Sequence, residues 1–137
     1  MLFTATRSST STFFKTLQHL ARRQFPSFPL QSRATMSSAV AKRLEGKTIV
    51  ITGASSGIGR STAFEFARTA PKDLKLILTA RRIDTLKEIA AEIKKEVGDG
   101  VKVLPVKLDV SNPDEVRNFV PSLPEEFKDI NVLVNNA

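Results

Sequence analysis

Thr48-Ile49-Val50-Ile51-Thr52 runs directly into Gly53-Ala54-Ser55-Ser56-Gly57-Ile58-Gly59-Arg60. The first five residues are all β-branched and carry almost nothing polar, which is how a strand buried on both faces reads. The next seven place three glycines at spacings of four and two. A helical pattern opens straight after them, with Ala63, Phe64, Phe66, Ala67 and Ala70 as its apolar positions.

Strand, glycine turn and helix together form the first half of a dinucleotide-binding βαβ unit. Gly53 lets the chain leave the strand in a conformation that a Cβ forbids. Gly57 is expected to let the backbone approach a pyrophosphate, and Gly59 to let the helix pack close to the sheet. The unpaired N–H groups of the first helical turn, including that of Ile58, then face the phosphates with the positive end of the helix dipole. Ser55 and Ser56 add hydroxyl donors. A P-loop needs a Lys-Ser or Lys-Thr pair after its last glycine; Arg60-Ser61 does not supply it.

Working outward, the pattern predicts strands over Lys47–Thr52, Leu74–Ala80, Val101–Leu108 and Ile130–Val134. Helices are predicted over Gly57–Ala70, from Asp84 as cap through Leu86, Ile89, Ala90, Ile93 and Val97, and after a Ser111 or Asn112 cap. Pro71 follows the first of these, Gly98 closes the second, and Pro121 is expected to break the third, whose apolar stripe is Val116, Phe119 and Val120. Four strands alternating with helices predict an α/β fold, a Rossmann-type parallel sheet with helices on both faces, in order 3-2-1-4 and cut off after the fourth strand. Val132 and Val134 are then expected to lack a covering helix.

The end of the second strand bears on the cofactor. An acid there binds the adenine-ribose hydroxyls and repels a 2′-phosphate. This chain has Ala80 instead, followed by Arg81 and Arg82, whose guanidinium groups suit a phosphate. The expectation is NADP, with Arg81 the principal contact and Arg82 secondary.

Thr52-Gly53-Ala54-Ser55-Ser56-Gly57-Ile58-Gly59 resembles the Thr-Gly-x-x-x-Gly-x-Gly motif of the short-chain dehydrogenase/reductase family. The resemblance extends from about residue 44 to residue 137. It implies that Asp109 and the backbone N–H of Val110, in Leu108-Asp109-Val110, meet the adenine. It also implies that Asn135 braces the sheet and that the segment at Ala137 lies against the ribose, as the start of an Asn-Asn-Ala-Gly motif. Residues 75–82 and 123–137 resemble the NADP-dependent 3-hydroxy acid dehydrogenases, which implies a small hydroxy or oxo substrate such as serine. In that family a Ser, a Tyr-x-x-x-Lys and a further Asn follow this segment, with the Tyr as general acid/base, and the complete proteins assemble as homo-oligomers. This chain contains no tyrosine, so no residue here is assigned a catalytic role. Residues 1–137 alone are expected to be inactive and marginally folded, and a non-enzymatic dinucleotide-binding fragment is the alternative reading.

The formal net charge is +7, and residues 1–44 carry all of the excess. They hold Arg7, Lys15, Arg22, Arg23, Arg33, Lys42 and Arg43 and no acid. From Glu45 onward the 14 basic and 14 acidic residues balance, which argues against a nucleic-acid partner. A leader rich in Ser, Thr and Arg has the composition of a mitochondrial transit peptide, with a disordered tail as the alternative. Ser11–Gln24 can form an amphipathic helix with Phe13, Leu17, Leu20 and Ala21 on one face. Initiation at Met36 gives a cytoplasmic form without the leader. No stretch reads as a membrane span. The absence of cysteine excludes disulfides and thiol chemistry. His19, the one histidine, reads as solvated, and no metal site is expected.

Overall fold

The computed structural model describes residues 31–137, with side chains from residue 38 onward. The leader helix expected at residues 11–24 and His19 lie outside the described residues. The elements are α1 (Gln31–Leu44), β1 (Thr48–Thr52), α2 (Gly57–Thr69), β2 (Leu74–Ala80), α3 (Ile83–Val97), β3 (Val101–Lys107), α4 (Pro113–Ser122), a 3-10 turn (Glu125–Phe127) and β4 (Ile130–Val134). The sequence pattern did not single out α1, and Leu44 at its end packs against the core.

The four strands form one parallel sheet in the order β3-β2-β1-β4. Every residue of β1 is buried, because side chains alternate across the sheet and both faces are covered. On one face Ile49, Ile51, Leu76 and Leu78 meet Ala63 and Ala67 of α2 and Leu86, Ile89 and Ile93 of α3. On the other, Val50 and Ile77 meet Leu123 and Phe127, with Phe119 of α4 partly buried against them. β3 is an edge strand bonded only to β2, and this tolerates Pro105, which has no N–H to donate.

Several local expectations change. The N-cap of α3 is Arg82, and Asp84 sits in the first turn without capping it; there its charge complements the helix dipole. Asn112, not Ser111, caps α4, its side chain accepting from the N–H groups of Asp114 and Glu115. Pro121 does not break α4 but lies inside its last turn. A proline that late removes one hydrogen bond, and the turn is closed by Leu123 N–H donating to the Val120 carbonyl at 3.2 Å. Of the expected α4 stripe, Phe119 packs inward while Val116 and Val120 remain exposed. On β4, Val132 is exposed as expected, but Val134 packs against the core and Leu133 is exposed in its place. The reason lies in the pairing with β1, whose register shifts between Thr48 and Ile49. Asn131 stands at that irregularity, and its Oδ1 accepts the Thr48 N–H at 2.9 Å.

The core makes a direct test within one helix. Ile89 is 2% exposed, whereas Lys87, two residues away on α3, is exposed. Ile89→Ala is expected to destabilise by about 2–5 kcal/mol, and Lys87→Ala to shift stability by no more than about 0.5 kcal/mol. Urea denaturation measures both; comparable losses would contradict the burial assigned to α3.

Candidate functional site: a cleft at the carboxyl ends of the strands

The C-terminal ends of β1, β2 and β3 open on a cavity of about 530 Å³. Each strand contributes its end or the residues that follow it: Gly53, Ser55 and Ser56 after β1, Ala80 at the end of β2 with Arg81 and Arg82 after it, and Leu108 to Ser111 after β3, with Ala137 closing the side. Clefts in open parallel sheets form there because successive crossovers leave the strand ends uncovered.

The turn after β1 depends on its glycines. Gly53 has φ of +63°, in the left-handed region. At Gly59 a Cβ would stand 2.5 Å from the Gly53 carbonyl oxygen and 2.6 Å from Asn136 Nδ2. The start of α2 therefore rests directly on the turn and on the segment after β4. Gly57 has φ of +57° with open space beside it. Ser56 is the N-cap of α2, but its hydroxyl makes no capping bond and remains available to another partner. The first N–H groups of α2 lack intrahelical acceptors, as at any helix start.

Thr52 ties β4 to this turn. Its buried Oγ1 accepts from the N–H of Asn136 at 2.8 Å and of Ala137 at 3.1 Å. Its proton points toward Asn135 Oδ1 at 3.3 Å or the Val134 carbonyl at 3.4 Å. Asn136 Nδ2 reaches the carbonyls of Thr52 and Gly53, both at 3.4 Å. The brace assigned to Asn135 is thus shared, and Asn136 carries more of it.

Of the twelve residues singled out in the sequence, Gly53, Ser55, Ser56, Arg81, Arg82, Asp109, Val110 and Ala137 line the cavity together. Gly57, Ile58, Gly59 and Asn135 lie outside its lining. Ile58 is 77% exposed and borders a separate apolar groove between α1 and α2 with Val40, Leu44 and Phe66. Ser111 also lines the cavity and was not singled out; the sequence pattern marked it only as a rival cap for α4. Ala80 and Leu108 supply buried apolar wall, and Val110 a half-exposed one.

The charges around the cleft are unevenly engaged. Arg60, Arg68 and Arg117 form salt bridges with carboxylates, whereas Arg81 and Arg82 are exposed and form none among the described residues. Asp109 Oδ1 accepts from the Ser111 hydroxyl at 2.6 Å and the Ser111 N–H at 3.0 Å. These bonds, with a lesser attraction from Arg81, hold the Asp109 carboxyl below its ordinary pKa. Because the folded pKa is depressed, the contribution of the ionised group is complete above the unfolded pKa and is lost as pH falls through the folded one. Ser111→Ala removes the largest cause and is expected to raise the titration midpoint of Asp109 toward its ordinary value. Carbon NMR of the carboxyl group measures it, and an unmoved midpoint would contradict the Ser111 contact. Among the described residues there is no cluster of side chains able to hold a metal ion and no helix long and apolar enough to cross a membrane.

Known proteins carry the same arrangement. A family model described as short chain dehydrogenase matches residues 47–137. The chain is 58% identical over 95 residues to the NADP-dependent 3-hydroxy acid dehydrogenase of Schizosaccharomyces pombe, covering 69% of this chain and 35% of that protein. It is 42% identical over 96 residues to 11-beta-hydroxysteroid dehydrogenase-like 2 of Arabidopsis thaliana, covering 70% of this chain and 30% of that protein. Among solved structures, L-sorbose reductase from Gluconobacter frateurii, complexed with NADPH and L-sorbose, superposes with a TM-score of 0.60 at 41% identity, over 69% of this chain and 34% of that one. The chain spans about a third of the length of the curated relatives it matches. With the family match running from the residue before β1 through β4 to Ala137, and the glycine turn seated on a 3-2-1-4 sheet, the chain belongs to the short-chain dehydrogenase/reductase family.

Proposed function

We propose that residues 45–137 are the NADP(H)-binding part of an oxidoreductase that oxidises the hydroxyl of a small 3-hydroxy acid such as serine, or reduces the matching carbonyl. The observation that carries the cofactor reading is the rim after β2. Ala80 stands where an acid would exclude a 2′-phosphate, and beside it stand two guanidinium groups that form no salt bridge among the described residues. The cleft suits the rest of the molecule. Ala80, Leu108 and Val110 offer apolar surface to an adenine beside Asp109. Ser55, Ser56 and the N-terminus of α2, from Gly57 through Ile58 to Gly59, offer donors to a pyrophosphate. Ala137 borders the ribose on the nicotinamide side, and Asn135 braces the strand end behind it through Thr52. The NADPH held by L-sorbose reductase and the name of the Schizosaccharomyces pombe relative support the same cofactor.

The substrate class follows the 58% identity to that relative, set against 42% for the steroid dehydrogenase-like protein and 38% for an L-rhamnose-1-dehydrogenase. When bound, the cofactor supplies the hydride acceptor or donor. The residues of this chain bind and orient it: Arg81 and Arg82 at the 2′-phosphate, the glycine turn at the pyrophosphate, Asp109 and Val110 at the adenine. The chain has no tyrosine, so its 137 residues by themselves are expected to bind cofactor without turning it over. The competing reading, a dinucleotide-binding fragment that is not an enzyme, is separated by the whole protein's activity.

Oxidation of serine and 3-hydroxypropionate by the whole protein, followed through nicotinamide absorbance, tests the proposal. Arg81→Ala is expected to weaken NADP binding about ten- to a hundredfold and NAD binding far less, since a charge-assisted hydrogen bond is worth about 1.5–3 kcal/mol. Ala80→Asp acts in the same direction by setting a carboxylate against the phosphate. Equal losses for both cofactors would refute the role of this rim, and absence of turnover with either acid would refute the substrate class.

The acid-free leader motivates a second proposal, mitochondrial import, with a cytoplasmic form starting at Met36. Residues 1–44 fused to a fluorescent reporter are expected to carry it into mitochondria. A reporter that stays diffuse in the cytosol would sink the idea.

A further inference from the structure

The wall of the cleft after β3 is held from outside. Asp109, Val110 and Ser111 line the cavity, yet little burial secures them. Val110 is 44% exposed, Asp109 and Ser111 take part in exposed hydrogen bonds, and α4 behind them has no fully buried residue. Hydrogen bonds therefore set the shape of this turn. Asn112 N–H closes it onto the Asp109 carbonyl at 3.0 Å. Glu115, in the first turn of α4, reaches back across it. Its Oε2 accepts the Asp109 N–H at 2.8 Å, and its Oε1 accepts from Asn112 Nδ2 at 3.1 Å. One carboxylate thus bridges both ends of the four-residue turn. Glu115 itself does not line the cavity.

The geometry points to Glu115 as a positioning residue for the cofactor: by bridging Asp109 and Asn112 it fixes the adenine-side wall made by Asp109 and Val110. In an ordinary capping box the glutamate returns to the N–H of the cap residue itself. Here it passes the cap and takes an N–H three residues earlier, at the mouth of the cleft. Without Glu115 the Asp109 N–H turns to water, and the Asp109 carboxylate and the Val110 backbone lose their fixed relation to the end of β3. The wall must then be ordered when the ligand binds, and that ordering lowers affinity. Glu115 touches no phosphate and acts on the adenosine end alone.

This inference rests on the NADP reading, and the experiment separates their failures. Isothermal titration of the whole protein uses two probes, 2′,5′-ADP for the adenosine end and nicotinamide mononucleotide for the other. In Glu115→Ala the dissociation constant of 2′,5′-ADP is expected to rise about three- to tenfold, the scale of one hydrogen bond, with that of nicotinamide mononucleotide unchanged. Glu115→Gln keeps an acceptor oxygen for the Asp109 N–H but gives up the bond from Asn112 Nδ2, and is expected to lose clearly less than Glu115→Ala, about two- to threefold. Failure of the wild-type protein to bind 2′,5′-ADP overturns the NADP reading and this inference with it. A wild-type protein that binds while Glu115→Ala binds equally well overturns this inference alone. Equal loss for both probes, or equal loss in Glu115→Gln, also overturns it, since either marks a general effect on the fold.

Discussion

Two pieces of chain, the Gly53 carbonyl and the Asn136 amide, stand within 2.6 Å of where a Cβ of Gly59 would be. That missing carbon lets the first turn of α2 sit on the exit of β1 and on the residues after β4. Thr52 completes the junction by accepting two N–H groups from the same segment. β1 is the central partner of both β2 and β4, so whatever fixes the end of β1 fixes the edges of the cleft on either side. The cleft is therefore a consequence of close backbone packing, with side chains filling in its chemistry.

The two faces of the sheet contribute unequally. The α2 and α3 side is a continuous apolar core, while the opposite side has a smaller cluster and an α4 with no buried residue. Burial supplies most of the stability of a domain, so the first face forms the rigid support. The wall nearest α4 depends instead on polar contacts: the Asn112 cap, the Asp109–Ser111 turn and the Glu115 bridge.

Cations are divided by use. Arg60 and Arg68 flank the Phe64 ring, at 5.1 and 5.5 Å from its centre, and pair with Glu92, and with Glu65 and Glu96, respectively. All are exposed and individually weak; those to Glu92 and Glu96 link α2 to α3, and the rest lie within α2. Arg60 follows the glycine motif immediately, yet its charge is directed to Glu92 on α3. Arg81 and Arg82, beyond the end of β2, face the cleft and form no salt bridge among the described residues.

The sequence alone determined the strands, the crossovers, the 3-2-1-4 order and eight of the residues around the cavity. Apolar periodicity and glycine spacing are local signals, and the handedness of crossovers turns them into a topology. It could not show that Leu133 rather than Val134 is exposed, because a shift of register at Asn131 decides that. Nor could it show that Pro121 lies within α4 or that Asn136 shares the brace at Thr52, since each depends on which acceptor lies in reach. The role of Glu115 is of the same kind. Six residues separate it from Asp109, and only the folded turn brings its carboxylate to that N–H. Tertiary structure settled these points because a hydrogen bond is decided by distance and direction in space, which residue type and spacing do not specify.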